Sequence, residues 1–393
     1  MIRLEAVRKA YGDSEVVAEM HLEMAEGSFT VLIGPSGCGK TTTLKMINRL
    51  IEPSSGRIFV NGQDIAEQNP QTLRRSIGYV IQSIGLFPHM TVQQNIQIVP
   101  DLLGWPKKKS AARAQELLER VGLDPQRYRH SYPSELSGGQ AQRVGVARAL
   151  AVDPPVLLMD EPFGAVDPIT RERLQDEFLR LQEQLRKTVV MVTHDIDEAI
   201  KMADTVCVMR AGKLEQVDSP EAMLAQPKSR FVRQFVGSDR ALKRLSRIAV
   251  GSFMQQVAWI SSDMPLEVIS QKLSHHRTLY VCRPSDDPQR PGVLLGWLER
   301  QAFEEAKTRL SDAADVVVEA CSDIHSDSYG VLPEDDARDV LAKMLNQGVV
   351  EMPILNAQGE LLGRVDMSAI LAQASSNSQP DSLHTAQVSA LTP

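Results

Sequence analysis

No stretch of this chain approaches the ~18 uninterrupted apolar residues that suggest a membrane-spanning helix. The N-terminal run Met1-Ile2-Arg3-Leu4-Glu5 lacks the apolar core of a signal peptide, so any membrane the protein serves is expected to be crossed by other chains. Cysteine is sparse. Cys38, Cys207, Cys282 and Cys321 lie far apart and form no CxxC pair, which argues against a zinc ribbon or a disulfide framework and fits reduced thiols in a cytoplasm. There is no basic excess either: a net charge of −7 makes nucleic acid an unexpected partner. What remains is an ordinary globular composition, 42% apolar and 24% charged over 393 residues, enough for two or three domains with their own cores.

From the start to about Val236, short apolar runs alternate with amphipathic stretches. Phe29 to Ile33, Ile77 to Ile81, Val156 to Met159, Val189 to Val192 and Val206 to Met209 read as strands of an α/β domain, 1–236. Residues 237–250 read as a basic linker helix: Arg240, Lys243, Arg244 and Arg247 fall at i, i+3, i+4 and i+7, Asp239 is placed to cap it, and Leu242, Leu245 and Ala249 line another face. Both a solvated connector and a face that pairs with anionic lipid fit that pattern. Over 251–373 the chain repeats helix, strand, strand. Leu294-Leu295-Gly296-Trp297-Leu298-Glu299 matches Leu361-Leu362-Gly363-Arg364-Val365-Asp366, each after an amphipathic helix (Pro265 to Leu273; Asp335 to Leu345) and a strand (Leu279 to Cys282; Met352 to Leu355). The first copy has the longer loop, Asp286 to Gly292. Residues 374–393, rich in Ser and Gln and without a periodic apolar face, read as a disordered tail.

After the first of these strands comes Gly34-Pro35-Ser36-Gly37-Cys38-Gly39-Lys40-Thr41, followed by Thr42 and a helical pattern. This is G-x-x-x-x-G-K-T in the strand-loop-helix setting that a phosphate-binding loop needs. Backbone N–H groups wrap a triphosphate, the helix N-terminus adds positive potential, Lys40 reaches the β and γ phosphates, and the Thr41 hydroxyl can ligate Mg²⁺. Further on, Val156-Leu157-Leu158-Met159-Asp160-Glu161 is an apolar strand ending in two acids. Asp160 is placed to hold the Mg²⁺ shell and Glu161 to polarise the attacking water, the alternative being a strand followed by an acidic turn.

Between these pieces lies Leu136-Ser137-Gly138-Gly139-Gln140, a string expected by chance about once per thousand chains. With it the sequence resembles ABC-type nucleotide-binding subunits. The resemblance implies a homodimer of facing ATPase subunits, in which Ser137, Gly138, Gly139 and Gln140 cap the γ phosphate held by the other copy. It further implies Tyr11 stacked on adenine, Gln82 at the metal and attacking water, Asp167 in the loop Gly164-Ala165-Val166-Asp167 that crosses the dimer, and His194 at the γ phosphate. Taken singly each has a plainer reading: a core Tyr, a solvated Gln, and a helix cap in Thr193-His194-Asp195.

No coiled coil fits between Lys40 and Leu136, no second G-x-x-x-x-G-K follows, and no membrane helix is fused to the cassette, which leaves a separate importer subunit. Arg75 to Val92 is similar to the corresponding loop of glycine betaine, choline and carnitine importers, as is Val232 to Arg240 leading into a repeat that resembles a tandem CBS pair. Apolar Ile84, Leu86 and Phe87 suit the grip of a short permease helix, or else packing within their own domain. The resemblance implies ATP and Mg²⁺ as cofactors, integral membrane permease subunits as partners, indirectly an extracytoplasmic solute-binding protein, and a peripheral place on the cytoplasmic face of the inner membrane. The alternative is an importer of another small solute whose CBS pair only dimerises or senses nucleotide. Glu299, Asp366, Ala302 and Ala369 stand where nucleotide-binding CBS pairs carry Thr or Ser and then Asp, which favours a structural role.

Overall fold

The computed structural model describes residues 2–82, 85–164, 166–237, 239–276, 278–285, 287, 290–310, 313–323 and 330–375. The expected roles of Ile84 and Ala165, residues 286, 288 and 289 of the loop 286–292, and the tail from 376 onward lie outside the described residues. Residues 374 and 375, expected in the tail, end the helix Met367–Ser375.

Two compact units divide between 238 and 239. In the first, β1 (Ile2–Tyr11), β2 (Ser14–Met24), β4 (Ser55–Val60) and β5 (Gln63–Asp64) form an antiparallel sheet in the order β2-β1-β4-β5. The other sheet has the order β10-β9-β3-β8-β7-β6: β3 (Phe29–Ile33), β6 (Ile77–Val80), β7 (Val156–Asp160), β8 (Thr188–Thr193), β9 (Thr205–Arg210) and β10 (Lys213–Asp218). All neighbours in it are parallel except β10 against β9. Strands β3, β7 and β8 are buried along their whole length. That explains their uninterrupted apolar runs, because a parallel sheet is covered on both faces.

Alternation assigns the two faces. Phe29, Val31, Ile33, Leu157, Met159, Val189 and Met191 share a core with the helical side of the domain. Leu32, Leu158, Val190, Val192 and Met209 pack instead with the antiparallel sheet and with α1 (Lys40–Ile47). The helices that follow are α2 (Pro70–Ser76), α3 (Val92–Leu102), α4 (Lys107–Arg120), α5 (Pro125–Tyr128), α6 (Gly138–Ala149), α7 (Pro168–Leu185), α8 (Ile196–Met202), α9 (Pro220–Ala225) and α10 (Arg230–Val236). Among the described residues no helix is long and apolar enough to cross a membrane.

The second unit opens with α11 (Arg240–Leu245), shorter than the helix expected over 237–250 and not a free connector. Leu245 and Val250 belong to that unit's core. Lys243 and Arg244 are buried while Leu242 is exposed, so the four cations do not form one solvated face. Asp239 gives α11 no side-chain cap and pairs with Lys243 Nζ at 3.4 Å. With Lys243 and Arg244 covered, the helix offers lipid no face made of all four cations.

The internal repeat is built by exchange. In the first copy β11 (Trp259–Ser261), α12 (Leu266–His275), β12 (Thr278–Cys282) and β13 (Leu294–Glu299) form a parallel pair and then an antiparallel one. β14 (Cys321–Asp323), which precedes the second copy in the chain, pairs with β13 of the first. The second copy has the helix Ala337–Gln347 and the hairpin β15 (Glu351–Leu355) and β16 (Leu361–Asp366), with Val331 parallel to Ile354. Gln255, which precedes the first copy, exchanges backbone bonds with Arg364 of β16 at 2.9 and 3.1 Å. Each half thus receives its outer pairing from the segment leading into the other, and a bridge between Val293 and Glu360 joins them.

Candidate functional site

The sheet order sets the site. β3 lies between β9 and β8, and β8 lies beside β7, so the chain segments leaving their carboxyl ends are neighbours. In open parallel sheets this edge is where ligands bind. The segment after β3 is the loop 34–41, β7 ends at Asp160, β8 leads into His194, and Gln82 lies two residues past β6.

The loop needs its first and last glycines for space as well as for dihedral angle. At Gly34 (φ 155°) a Cβ would meet Met209 O at 2.1 Å, and at Gly39 (φ 103°), which precedes α1, it would meet Val16 O at 2.7 Å. Pro35, Ser36 and Gly37 are exposed and Thr42 is half-buried, whereas Cys38 turns its thiol into the core beneath the loop. Lys40 is 6% exposed, and its Nζ donates to Gly34 O at 2.6 Å and Pro35 O at 3.1 Å. A buried ammonium must be satisfied, and here the loop's own carbonyls hold it.

Thr41 Oγ1 donates to Asp160 Oδ1 at 3.0 Å. Burial pushes the Asp160 carboxyl above its ordinary range, against the hydrogen bond from Thr41 and the charge of Lys45, and with the repulsion of Glu161. Glu161 leaves the sheet in a left-handed conformation, φ 44°, rare for a residue with a side chain and concentrated at functional sites. Its backbone is held by a bond to Val192 O at 2.9 Å and by the N–H of Gly164 at 3.2 Å. That places Glu161 Oε2 where two groups reach it: Gln82 Nε2 at 3.0 Å and His194 Nδ1 at 3.2 Å. Asp195 caps α8, so a helix cap and a site imidazole coexist in Thr193-His194-Asp195.

The remaining expected residues stand elsewhere in the unit. Ser137 caps α6 in a reciprocal box: its Oγ accepts from Gln140 N at 3.3 Å, and Gln140 Oε1 accepts from Ser137 N at 2.9 Å. Gln140 also donates to the Tyr128 hydroxyl at 3.0 Å. Gly138 has open space where a Cβ would go, while Gly139 packs against Thr170 of α7. Among the described residues no hydrogen bond links Ser137, Gly138, Gly139 or Gln140 to the loop 34–41. Asp167 caps α7 through Thr170 N at 3.0 Å, and these bonds hold its carboxyl below the ordinary range. Tyr11 is 51% exposed at the end of β1, with Lys9 Nζ 4.8 Å from its ring centre, so it is not a core residue. Leu86 packs on the core and Phe87 is exposed.

Two features were not read from sequence. Arg148, deep in α6, donates to Gly85 O at 2.7 Å and so ties the helix capped by Ser137 to the loop after Gln82; no local pattern marks it apart from other helix arginines. Glu198 is buried in α8 between Thr193 and Gln175. Its signal, an acid directly before apolar Ala199 and Ile200, is weak without knowledge of which face packs inward.

A family model described as ABC transporter matches residues 17–164. The glycine betaine/carnitine/choline transport ATP-binding protein OpuCA of Bacillus subtilis is 47% identical over 376 residues, covering 94% of this chain and 95% of that protein. The osmoprotectant import ATP-binding protein OsmV of Salmonella typhimurium is 44% identical over 383 residues, covering 96% and 97%. Among solved structures, the dimeric structure of MJ0796, a bacterial ABC transporter cassette, is 34% identical with a TM-score of 0.51 and covers 56% of this chain and 99% of that one. A dimeric post-hydrolysis state of the same cassette bound to ADP and Pi matches with 33% identity, a TM-score of 0.51 and the same coverage.

Proposed function

The chain belongs to the ATP-binding proteins of osmoprotectant-importing ABC transporters, and from that premise we propose how its residues divide the work. It is the ATP-hydrolysing subunit that powers import of compatible solutes, namely glycine betaine, choline, carnitine or related quaternary amines. Such subunits work as dimers with a membrane permease. In our reading this one sits on the cytoplasmic face, docks the permease through Phe87 and its neighbours, and is served by an extracytoplasmic solute-binding protein. The second unit acts as a tandem CBS pair with a structural role.

In the nucleotide site, backbone N–H groups of residues 34–42 other than Pro35 cradle the phosphates and Tyr11 stacks on adenine. Lys40 exchanges the carbonyls of Gly34 and Pro35 for the β and γ phosphates, gaining charge-assisted bonds. The adjacent hydroxyl and carboxylate of Thr41 and Asp160, hard oxygen donors already 3.0 Å apart, suit Mg²⁺. With the amide oxygen of Gln82 they would hold the ion, which neutralises charge on the phosphates. Glu161 is the general base for the attacking water. Gln82 and His194 orient its carboxylate, and the other ring nitrogen of His194 faces the γ phosphate. Ser137, Gly138, Gly139 and Gln140 complete the site of the facing copy, and Asp167 lies in the loop between copies.

The observation that carries this reading is the convergence of Gln82 and His194 on one oxygen of Glu161, beside the Thr41–Asp160 contact. The test is Glu161→Gln. Turnover should fall ~10²- to 10⁴-fold, the share of a general base, while MgATP binding persists. Lys40→Ala should instead weaken binding in a nucleotide titration. Near-normal hydrolysis by Glu161→Gln overturns the assignment.

A further inference from the structure

Behind His194 lies a buried polar group that the chemistry above does not use. Glu198 carries a carboxyl group yet is only 5% exposed. Its Oε2 accepts from Thr193 Oγ1 at 2.6 Å and its Oε1 from Gln175 Nε2 of α7 at 3.4 Å. Asp195, on the other flank of His194, accepts at Oδ1 from the N–H groups of Asp197 at 2.8 Å and Glu198 at 3.4 Å. Its own N–H donates to Thr193 Oγ1 at 3.0 Å. Both neighbours of His194 are thus fixed to the head of α8, and the orientation of the imidazole follows that helix.

Arg171 of α7 faces this group. Its Nη2 donates to Val166 O at 3.0 Å, directly before Asp167. Its Nη1 lies 3.7 Å from Asp195 Oδ2 and its Nε 4.0 Å from Glu198 Oε1. The Nε is buried and makes no hydrogen bond. A buried donor without an acceptor is unfavourable, and two carboxylate oxygens stand just outside bonding reach. A shift of about 1 Å would turn both contacts into the short charge-assisted bonds that a guanidinium makes with carboxylates. Lys201 and Asp176, 2.6 Å apart, also join α8 to α7, so the two helices are already tethered.

We propose that Arg171 is a positioning residue, a half-closed clasp between the turn that ends at Asp167 and the two flanks of His194. Pressure on that turn from a facing copy closes the clasp, draws Asp195 and Glu198 toward α7, and holds the imidazole of His194 at Glu161, which it already meets at 3.2 Å. This rests on the assignment of Glu161, His194 and Asp167 made above. It adds a route, inside one copy, by which the arrival of the second copy reaches the hydrolytic residues.

The test uses the full chain with Arg171→Met, Arg171→Lys and Glu198→Gln. Arg171→Met should lower kcat ~10-fold, the effect of a sub-ångström to 1 Å misplacement of a catalytic group. The KM and Kd for MgATP should stay within about 2-fold, because the Arg171 side chain is assigned no contact with nucleotide. Arg171→Lys keeps the charge but loses the planar fork, so it should restore the melting temperature and only part of kcat. Adding Glu198→Gln to Arg171→Met should cost little more than Arg171→Met alone, since both break one clasp. Wild-type kcat in Arg171→Met overturns the proposal. So does a loss that follows the melting temperature and is fully restored by lysine, which would mark a merely structural arginine. Failure of the underlying site assignment appears separately, as retained turnover in Glu161→Gln whatever stands at 171.

Discussion

Asp160 is 5% exposed, and its Oδ1 accepts from the Thr41 hydroxyl at 3.0 Å. Burial raises its carboxyl in the folded chain, so the folded state binds the proton more readily than the unfolded one. Stability of the nucleotide-free protein therefore falls as pH rises from the ordinary carboxylate value through the raised folded value, and is level above it. Asp160→Asn keeps an oxygen to accept from Thr41 and removes that penalty. Thermal melts without Mg²⁺ over about pH 4 to 8 should show the variant with a shallower pH slope and, at the upper end, a higher Tm than wild type. Glu198, also raised by burial, keeps its own share of the slope. Turnover should be lost, and a variant less stable than wild type at neutral pH would contradict the account. A second check concerns thiols. Burial pushes Cys207 and Cys282 up to about 12, and Cys38 is also buried, leaving Cys321 half-exposed. Brief labelling of the native protein near pH 8 should modify Cys321 first, with Cys38 reacting only on unfolding. Rapid loss of activity through Cys38 would mean that the loop opens far more than its packing suggests. The Thr41–Asp160 contact was legible in sequence because a phosphate-loop pattern and an acid-ended apolar strand fix the local backbone. The inward turn of Cys38 was not, because a loop pattern does not say which side chains face the core.

At the scale of elements, the proposed role of Ser137 adds a second duty to the cap that it gives α6. Ser137 caps the helix, and its removal alone costs about 0.5–2 kcal/mol of stability. Ser137→Ala therefore confounds folding with function. Ser137→Asp separates them: aspartate caps as well as serine, so the melting temperature should change little, but it sets a negative charge against the phosphate of the facing copy. Unchanged Tm with hydrolysis reduced at least ~10²-fold, as for loss of a transition-state donor, is the expected pair of results. Full activity would place Ser137 away from nucleotide. The buried strands β3, β7 and β8 were legible because a doubly covered strand must be apolar throughout. Strands β1 and β2 were missed. They alternate buried and charged positions, and register shifts after Leu4, Val7 and Lys9 break the period on which a reading of strands depends. The same limit misjudged α11, where spacing groups the cations but cannot show that Lys243 and Arg244 are covered.

For the whole molecule, the repeat in the second unit was visible as matched hexapeptides, but the exchange of outer pairings was not. It joins Gln255 to Arg364 and β14 to β13, contacts between segments with no local signal linking them. The first unit raises the larger question of copy number. Its phosphate loop and its capped helix α6 are each well formed, yet no hydrogen bond among the described residues joins them within one chain. On the proposed reading a symmetric pair supplies the other half of each site from the facing copy, and C2 symmetry makes the two sites equivalent. The most direct test measures ATP hydrolysis by Lys40→Ala, by Ser137→Arg and by an equal mixture of the two. Each variant alone should be nearly inactive, because both of its sites carry a lesion. In the mixture half the pairs are hybrids with both lesions at one site and the other site whole, so activity should return to roughly a quarter of wild type. If the mixture stays as inactive as its components at concentrations where wild type is fully active, each site does not join Lys40 of one copy to Ser137 of the other, and the account fails.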